Sequence, residues 1–433
     1  MARLTHEQLE MIKKKMGVKQ LWSFSKASTF TQCTWLYYLR YIKKIRVKSD
    51  NCYTWWGTTS HDIMQGFYED AYDKYEDMAQ ALEDKIVEYS LLDDDKLKFP
   101  NEKEFESYIA NLRHYFSNTN IIPYKVVNEK LILATFDGLE KYVFQGYIDS
   151  EFFDDDGNLV ILDYKTSSIS GFTGKKLEEK ARQLIIYAIG ISQLGRTVDG
   201  KVTKIPLDKI KIRYDMMKYL NITFKQKNGK MKITRAERRL WVAHIANQIR
   251  KDFEDVEKDI EKVKKEIAKL DKKRGAKCRK PHEVEELTEQ IDKLNNQLEE
   301  ISRNVYDILQ INDMVETAIN ENTLESLPQF IQDKYTVNNC YIDLELTEDV
   351  VNEATKGIVD SLNSIVSKSQ EDDLEKAFAR GKIENTDSYY CTNLCDMKGH
   401  CKFYEEYKEH CSMFLDKPKP PSDDEMLSML GLI

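Results

Sequence analysis

Asp149, Asp163 and Lys165 lie in the stretch GYIDSEFFDDDGNLVILDYKTSS, and their spacing suggests a chemistry. Asp149 closes one apolar run. Asp163 sits near the end of the next, with Lys165 two residues later on the same strand face. The turn DDDGN between the runs predicts a hairpin, which sets two carboxylates and one ammonium at one edge. Two carboxylates gathered beside apolar strand residues are costly unless a cation joins them, and a hard divalent ion with oxygen ligands meets that need. Lys165 could then position or deprotonate a water and counter charge on a phosphate. D-x-K is a short signal, so strand-end charges that merely face water are the competing reading. Two further features favour the first. Gln183 and Tyr187 stand at i, i+4 in the following helical segment and can face the same strand end. His61, in GTTSH, offers an imidazole as a third ligand.

Elements must hold these residues. The runs KLILATFDG, KYVFQGYIDSEFF and LVILDYKTS between Ile132 and Leu162 predict three strands, and Leu177–Leu194 has helical spacing. A further strand is expected at Ile210–Met216 and a hairpin at Asn221–Thr234 with KNGK as its turn. The β-β-β-α order implies an α/β core with a mixed sheet. Upstream, Ser23–Arg46 reads as one helix with Phe30, Cys33, Trp35, Leu36 and Leu39 on its apolar face. Trp55–Tyr75 reads as a second, and a charged helical region runs to about Phe116. Downstream, CYIDLEL at Cys340–Leu346 reads as a strand, and TEDV opens a helix from Thr347 to about Val366.

Between Val242 and Ile311 the chain is densely charged, and apolar residues recur at intervals of three and four. They fall at 249, 253, 256, 260, 263, 267 and 270, then at 284, 287, 291, 294, 298, 301, 305 and 308. A heptad seam on both sides of DKKRGAKCRKPHE predicts an antiparallel coiled-coil hairpin inserted into the core, each arm about 22 residues or roughly 33 Å long.

With 65 Lys or Arg against 74 Asp or Glu the net charge is −9. That disfavours a uniformly basic coat for nucleic acid but allows local basic grooves. Basic residues gather at Lys43, Lys44, Arg46 and Lys48, at Lys175 and Lys176, and at the hairpin tip, in Lys272, Lys273, Arg274, Lys277, Arg279 and Lys280. The first two groups are candidate phosphate contacts; the tip could reach along DNA or dock an acidic partner. Hydrophobic residues at 41% exclude a fibrous or disordered chain. No membrane contact is expected, and the N-terminus lacks a secretory signal, so the reading is of a soluble, intracellular, cytoplasmic protein. The eight Cys are too sparse for a disulfide scaffold, yet Cys391, Cys395 and Cys401 crowd together. After KPKPP, the tail SDDEMLSMLGLI could be a docking peptide for a protein partner or simply a disordered end.

The ordered set Gly57-x3-His61, Gly146-x2-Asp149, Asp163-Tyr164-Lys165 and Gln183-x3-Tyr187 resembles the PD-(D/E)XK nucleases of the RecB and AddB type, including CRISPR-associated adaptation nucleases and phage exonucleases. The resemblance touches residues 23–190 and 388–404. It implies a restriction-endonuclease-like α/β core, a mixed sheet flanked by helices, and metal-dependent hydrolysis of DNA. By the same resemblance, His61, Asp149, Asp163 and the main-chain carbonyl of Tyr164 hold Mg²⁺ or Mn²⁺, and Lys165 is the catalytic lysine. Gln183 and Tyr187 orient that lysine or contact the DNA backbone. It also implies an exonuclease acting on single strands or ends in recombination, repair or replication, and is compatible with a virus-encoded protein.

Iron-sulfur members of that family take one ligand from an early helix and three from a C-terminal cluster. Carried over, these are Cys33, Cys391, Cys395 and Cys401 around a [4Fe–4S] centre. The chain departs from that pattern with Cys-x3-Cys at 391–395 and Thr34 where a Pro commonly follows the first Cys. A Zn²⁺ site drawing on His400, His410 and Cys411, or reduced thiols without metal, are the alternatives. The expected division is a helical region over 1–130, a nuclease core over 131–236 and the hairpin insertion over 237–315. Core completion with the Cys cluster follows over 316–416, then a Pro-rich linker and tail over 417–433. A non-catalytic DNA-binding or scaffolding protein acting through its coiled coil is the competing function, and an RNA-directed or structure-specific nuclease a third.

Overall fold

The computed structural model of the chain describes residues 4–47, 51–94, 97–198, 200–276 and 280–415. Lys48, Lys277, Arg279 and the tail 417–433 lie outside the described residues, as do the side chains of His410 and Cys411. The N-terminal helices are α1 (His6–Met16), α2 (Phe24–Gln32), α3 (Thr34–Tyr37), α4 (Cys52–Tyr68), α5 (Glu76–Ser90) and α6 (Glu102–Asn118). Strands β1 (Val127–Asp137), β2 (Lys141–Phe153) and β3 (Leu159–Lys165) lead into α7 (Gly174–Leu194) and a small pair, β4 (Arg196–Val198) and β5 (Lys201–Thr203). Then come β6 (Ile210–Lys225), β7 (Met231–Glu237), α8 (Trp241–Arg274), α9 (Pro281–Ser302), α10 (Ile308–Glu321), α11 (Gln329–Gln332) and β8 (Tyr335–Leu344). The chain closes with α12 (Glu348–Lys368), α13 (Leu374–Ala377), α14 (Asn385–Tyr389) and α15 (Lys402–Leu415).

The main sheet runs β1-β2-β3-β6-β7, with β8 also paired to β6. Only β3 and β6 are parallel; the other pairs are antiparallel. A parallel pair needs a crossover, and α7 lies within it. Six of the seven β3 residues are buried, as a central strand covered on both faces requires. Leu159 and Ile161 face a core built with α7, α12 and the α2–α3 segment. Val160, Leu162 and Tyr164 face a second core under α4, α5 and α6. The mixed sheet between helical layers is the fold expected from the β-β-β-α order.

Several elements differ from the expectation. The predicted helix over 23–46 is broken at Cys33, which is extended at φ −164° and ψ 119°. Its amide donates to Thr29 to close α2, while its Sγ accepts from the Leu36 amide to open α3. A wider helical turn, Tyr38–Ile42, follows. The second predicted helix stops at Tyr68, because Asp70 turns left-handed at φ 57°. The strand expected to end at Met216 continues to Lys225 and becomes the first arm of the expected hairpin. Its ladder with β8 shifts register between Asp215 and Leu220. That bulge lets one strand serve two cores: Ile212 and Tyr214 face α7, whereas Leu220, Ile222 and Phe224 pack with Trp241, Val242 and Ile249 of α8. Beside the bulge, Arg238 is fully buried over the Tyr115 ring and donates to Asn339, while Tyr115 donates to Asp215.

The charged segment forms two helices packed along each other, α8 of 34 residues and α9 of 22. The first turns of α8 cover the sheet, and its continuation buries Val256, Ile260 and Val263 at the seam facing α9, which contributes Ile291. Val305 and Ile308, which continue the same spacing, lie beyond the end of α9 and are exposed. Pro281 at the first position of α9 fits the helix start, where its missing amide costs nothing. No helix among the described residues is long and apolar enough to cross a membrane.

Candidate metal centre

β2 and β3 pair antiparallel with Ser150 opposite Leu162, so Asp149 and Asp163 leave the ladder at adjacent positions. Asn51 caps α4 by accepting from the Thr54 amide, and the helix lays His61 across the end of β3. The His61 Nε2 lies 2.6 Å from the Tyr164 carbonyl, and Nδ1 lies 3.3 Å from Asp149 Oδ2. A carbonyl only accepts, so Nε2 carries the hydrogen in this contact. One ligand atom each from His61, Asp149 and Asp163 lie within 4.8 Å of one another, the only such group among the described residues. Lys165 Nζ donates to Asp163 Oδ1 at 2.6 Å. The two carboxylates, imidazole and ammonium expected from sequence therefore converge with the Tyr164 carbonyl.

The electrostatics are those of a site short of positive charge. Burial pushes the Asp149 carboxyl up to about 6; the charge of Asp163 adds to this, and His61 and Lys165 only partly oppose it. Tyr187 is also pushed up, first by burial and then by the charges of Asp149 and Asp163. Gln183 Nε2 donates to the Tyr187 hydroxyl at 2.8 Å, so the i, i+4 pair acts as a unit at the carboxylates. Gly146 makes room for it: a Cβ there would stand 2.3 Å from the Tyr187 hydroxyl. The imidazole nitrogen and the oxygen donors, two of them acidic, form a set that could hold a divalent cation.

An open cleft of about 230 Å³ leads to the centre, lined on one side by Gly57, Thr58, His61, Asp62 and Gln65 of α4. Glu129, Asp149, Ser150 and Tyr164 form the other side. Sequence reading missed Asp62, Gln65 and Glu129. Gln65 stands at i+4 from His61 and was open to a helical-face argument. Glu129 had no local signal. It reaches the cleft because Asn128 pairs with Ser150 and Lys130 with Ile148, which sets it opposite Asp149. Among the described residues, none of the basic clusters lines this cleft. Lys43, Lys44 and Arg46 are exposed after the Tyr38–Ile42 turn, and Lys175 lines a groove with Arg182, Val350 and Glu353 between α7 and α12.

The cysteines form a separate centre. Cys33, Cys391, Cys395 and Cys401 line one small cavity with Trp35, Leu39, Tyr390 and Arg380. Burial pushes the Cys391, Cys395 and Cys401 thiols up, Cys395 to about 11. Cys340 and Cys52 are buried elsewhere and take no part. Arg380, which nothing in the sequence singles out, reaches two of the sulfurs.

A family model, described as the PD-(D/E)XK nuclease superfamily, matches residues 21–319. The match contains α4, β1–β3, α7 and the α8–α9 pair, and it ends before Cys391. No curated protein and no solved structure matches the chain.

Proposed function

Because the chain belongs to the PD-(D/E)XK nuclease superfamily, we propose that it is a Mg²⁺- or Mn²⁺-dependent deoxyribonuclease acting as an exonuclease on single strands or ends. The observation that carries the reading is the convergence of His61, Asp149, Asp163 and the Tyr164 carbonyl at the mouth of one cleft. These four groups would hold the cation. Bound there, it supplies Lewis acidity to the scissile phosphate and lowers the pKa of the attacking water. The chain's own residues do the rest. Asp163 holds Lys165 at 2.6 Å beside the cation ligands, where the ammonium would offset charge that builds up on the phosphoryl oxygens. Gln183 and Tyr187 keep a neutral donor beside the carboxylates, able to contact the DNA backbone without adding negative charge. The α8–α9 pair, read as a coiled coil, offers a surface for a protein partner.

The same reading gives Cys33, Cys391, Cys395 and Cys401 to a [4Fe–4S] cluster, which would join the two ends of the chain. It is supported by the one cavity that all four cysteines line. The deciding experiment for the nuclease reading measures degradation of end-labelled single- and double-stranded DNA with Mg²⁺ or Mn²⁺, against EDTA controls. Shortening from ends, lost in EDTA and in Asp163→Ala, is expected. Protein that leaves both DNAs intact with either metal sinks the catalytic reading and favours a binding or scaffolding role.

A further inference from the structure

Arg380 stands in the loop after α13 with its side chain only 15% exposed. Its Nη1 lies 3.4 Å from Cys391 Sγ and 3.7 Å from Cys33 Sγ, so one guanidinium spans sulfurs from opposite ends of the chain. The other terminal nitrogen donates to Asp387 at 3.0 Å, which fixes the plane of the fork. The loop is tied to the first cysteine from a second side: the hydroxyl of Thr34 donates to the Ala379 carbonyl. Thr34 is the position at which the resembling iron-sulfur nucleases commonly carry Pro. A proline there has no hydroxyl and could not make this tie. Carrying a guanidinium into a largely apolar cavity costs free energy, which the Asp387 carboxylate and the two sulfur contacts offset.

We propose that Arg380 is a positioning residue of the cysteine centre: it orients Cys33 and Cys391 as a pair and offsets the negative charge of a bound iron-sulfur cluster. The proposal rests on the cluster reading given above. A fixed positive charge and N–H···S contacts make addition of an electron to the cluster easier, so removing them lowers the reduction potential. Removing a partner from around ligating atoms also loosens the metal, typically by about tenfold or more.

The test uses the full chain purified without oxygen, as wild type, Arg380→Gln and Arg380→Lys. Iron is counted per chain, the midpoint potential is found by titration with dithionite, and the cluster's visible absorbance is followed in excess chelator. About four irons are expected in the wild type. Arg380→Gln should show a more negative potential and chelator bleaching about tenfold faster, with Arg380→Lys between the two because it keeps the charge and loses the fork. Arg380→Lys alone carries the test where Arg380→Gln does not fold. Wild-type potential and bleaching in the variants overturn the role of Arg380 and leave the cluster reading standing. A wild type without iron, or with one zinc, overturns the cluster reading itself and the Arg380 role with it.

Discussion

His61, Asp149, Asp163 and Tyr164 are brought together by one helix and two hydrogen-bonded strands, whereas Cys33 meets Cys391, Cys395 and Cys401 only because the first and last helical segments pack on the same core. The first group is an open cleft with hard donors and repelling charges; the second is a small apolar cavity with soft ones. Strand register sets the cleft, so its residues can be replaced without moving the backbone. Long-range closure sets the cysteine cavity, so on the cluster reading the loss of one cysteine there would loosen what the cavity joins. The cleft is thus suited to chemistry and the cavity to holding the fold.

The largest effect is expected from Asp163→Ala and Lys165→Ala. Metal-assisted charge stabilisation contributes several kcal/mol, so cleavage of labelled DNA should fall about a thousandfold or more, with the melting temperature nearly unchanged. A variant that melts much earlier would break the contrast, because the cleft would then be structural as well.

Cys391→Ser should do the reverse. It should lose iron and destabilise the protein by about 2–5 kcal/mol, the scale of removing a disulfide staple, while DNA cleavage at low temperature survives. Thermal unfolding and iron content measured on one preparation check this. Cleavage abolished without loss of stability would show the two regions to be one functional unit.

A pH series sharpens the cleft side. The raised Asp149 holds a proton below about pH 6 that an ion must displace, so Mn²⁺ affinity measured by calorimetry should fall about tenfold per pH unit below that point and level off above it. Without metal, the folded state binds this proton more tightly than the unfolded chain. Stability from this group is therefore present at low pH and lost as pH rises from about 4 to about 6. Metal affinity that stays flat from about pH 5 to 8 would count against Asp149 as a ligand.

The smallest effect is expected at the surface. Replacing Lys175 and Lys176 together by Ala should weaken DNA binding modestly and lower the salt-dependence slope by about 0.9 for each phosphate that the lysines neutralise. An unchanged slope would assign these lysines to the groove beside α12 alone.

Much of the cleft was legible before the fold was known, because its residues sit at positions where short-range periodicity carries the information. The alternation around Asp149 and Asp163 implied the hairpin, the DDDGN turn its connection, and the i, i+4 spacing a common face for Gln183 and Tyr187. Glu129 was not legible, since it enters the cleft through the β1–β2 register rather than its neighbours in sequence. The break at Cys33 was hidden for a related reason: the apolar residues on either side keep helical spacing, and the kink follows from capping by the cysteine itself. The fusion of a predicted strand and hairpin into β6 was equally hidden, because the bulge after Asp215 is stabilised by the buried Arg238, Tyr115 and Asn339 from other elements.

By itself the sequence determined the α/β class and the charged helical pair, which rest on periods of two and of about 3.6 residues, while the ordered residues His61, Asp149, Asp163, Lys165, Gln183 and Tyr187 rest on their resemblance to a family motif. Only the tertiary structure decided that Glu129 shares the cleft, that Lys175 lines a groove beside α12, and that Arg380 bridges Cys33 and Cys391. The first depends on the β1–β2 register and the last on the packing around Phe30, Tyr37 and Phe378, and neither has a period along the chain from which to read it.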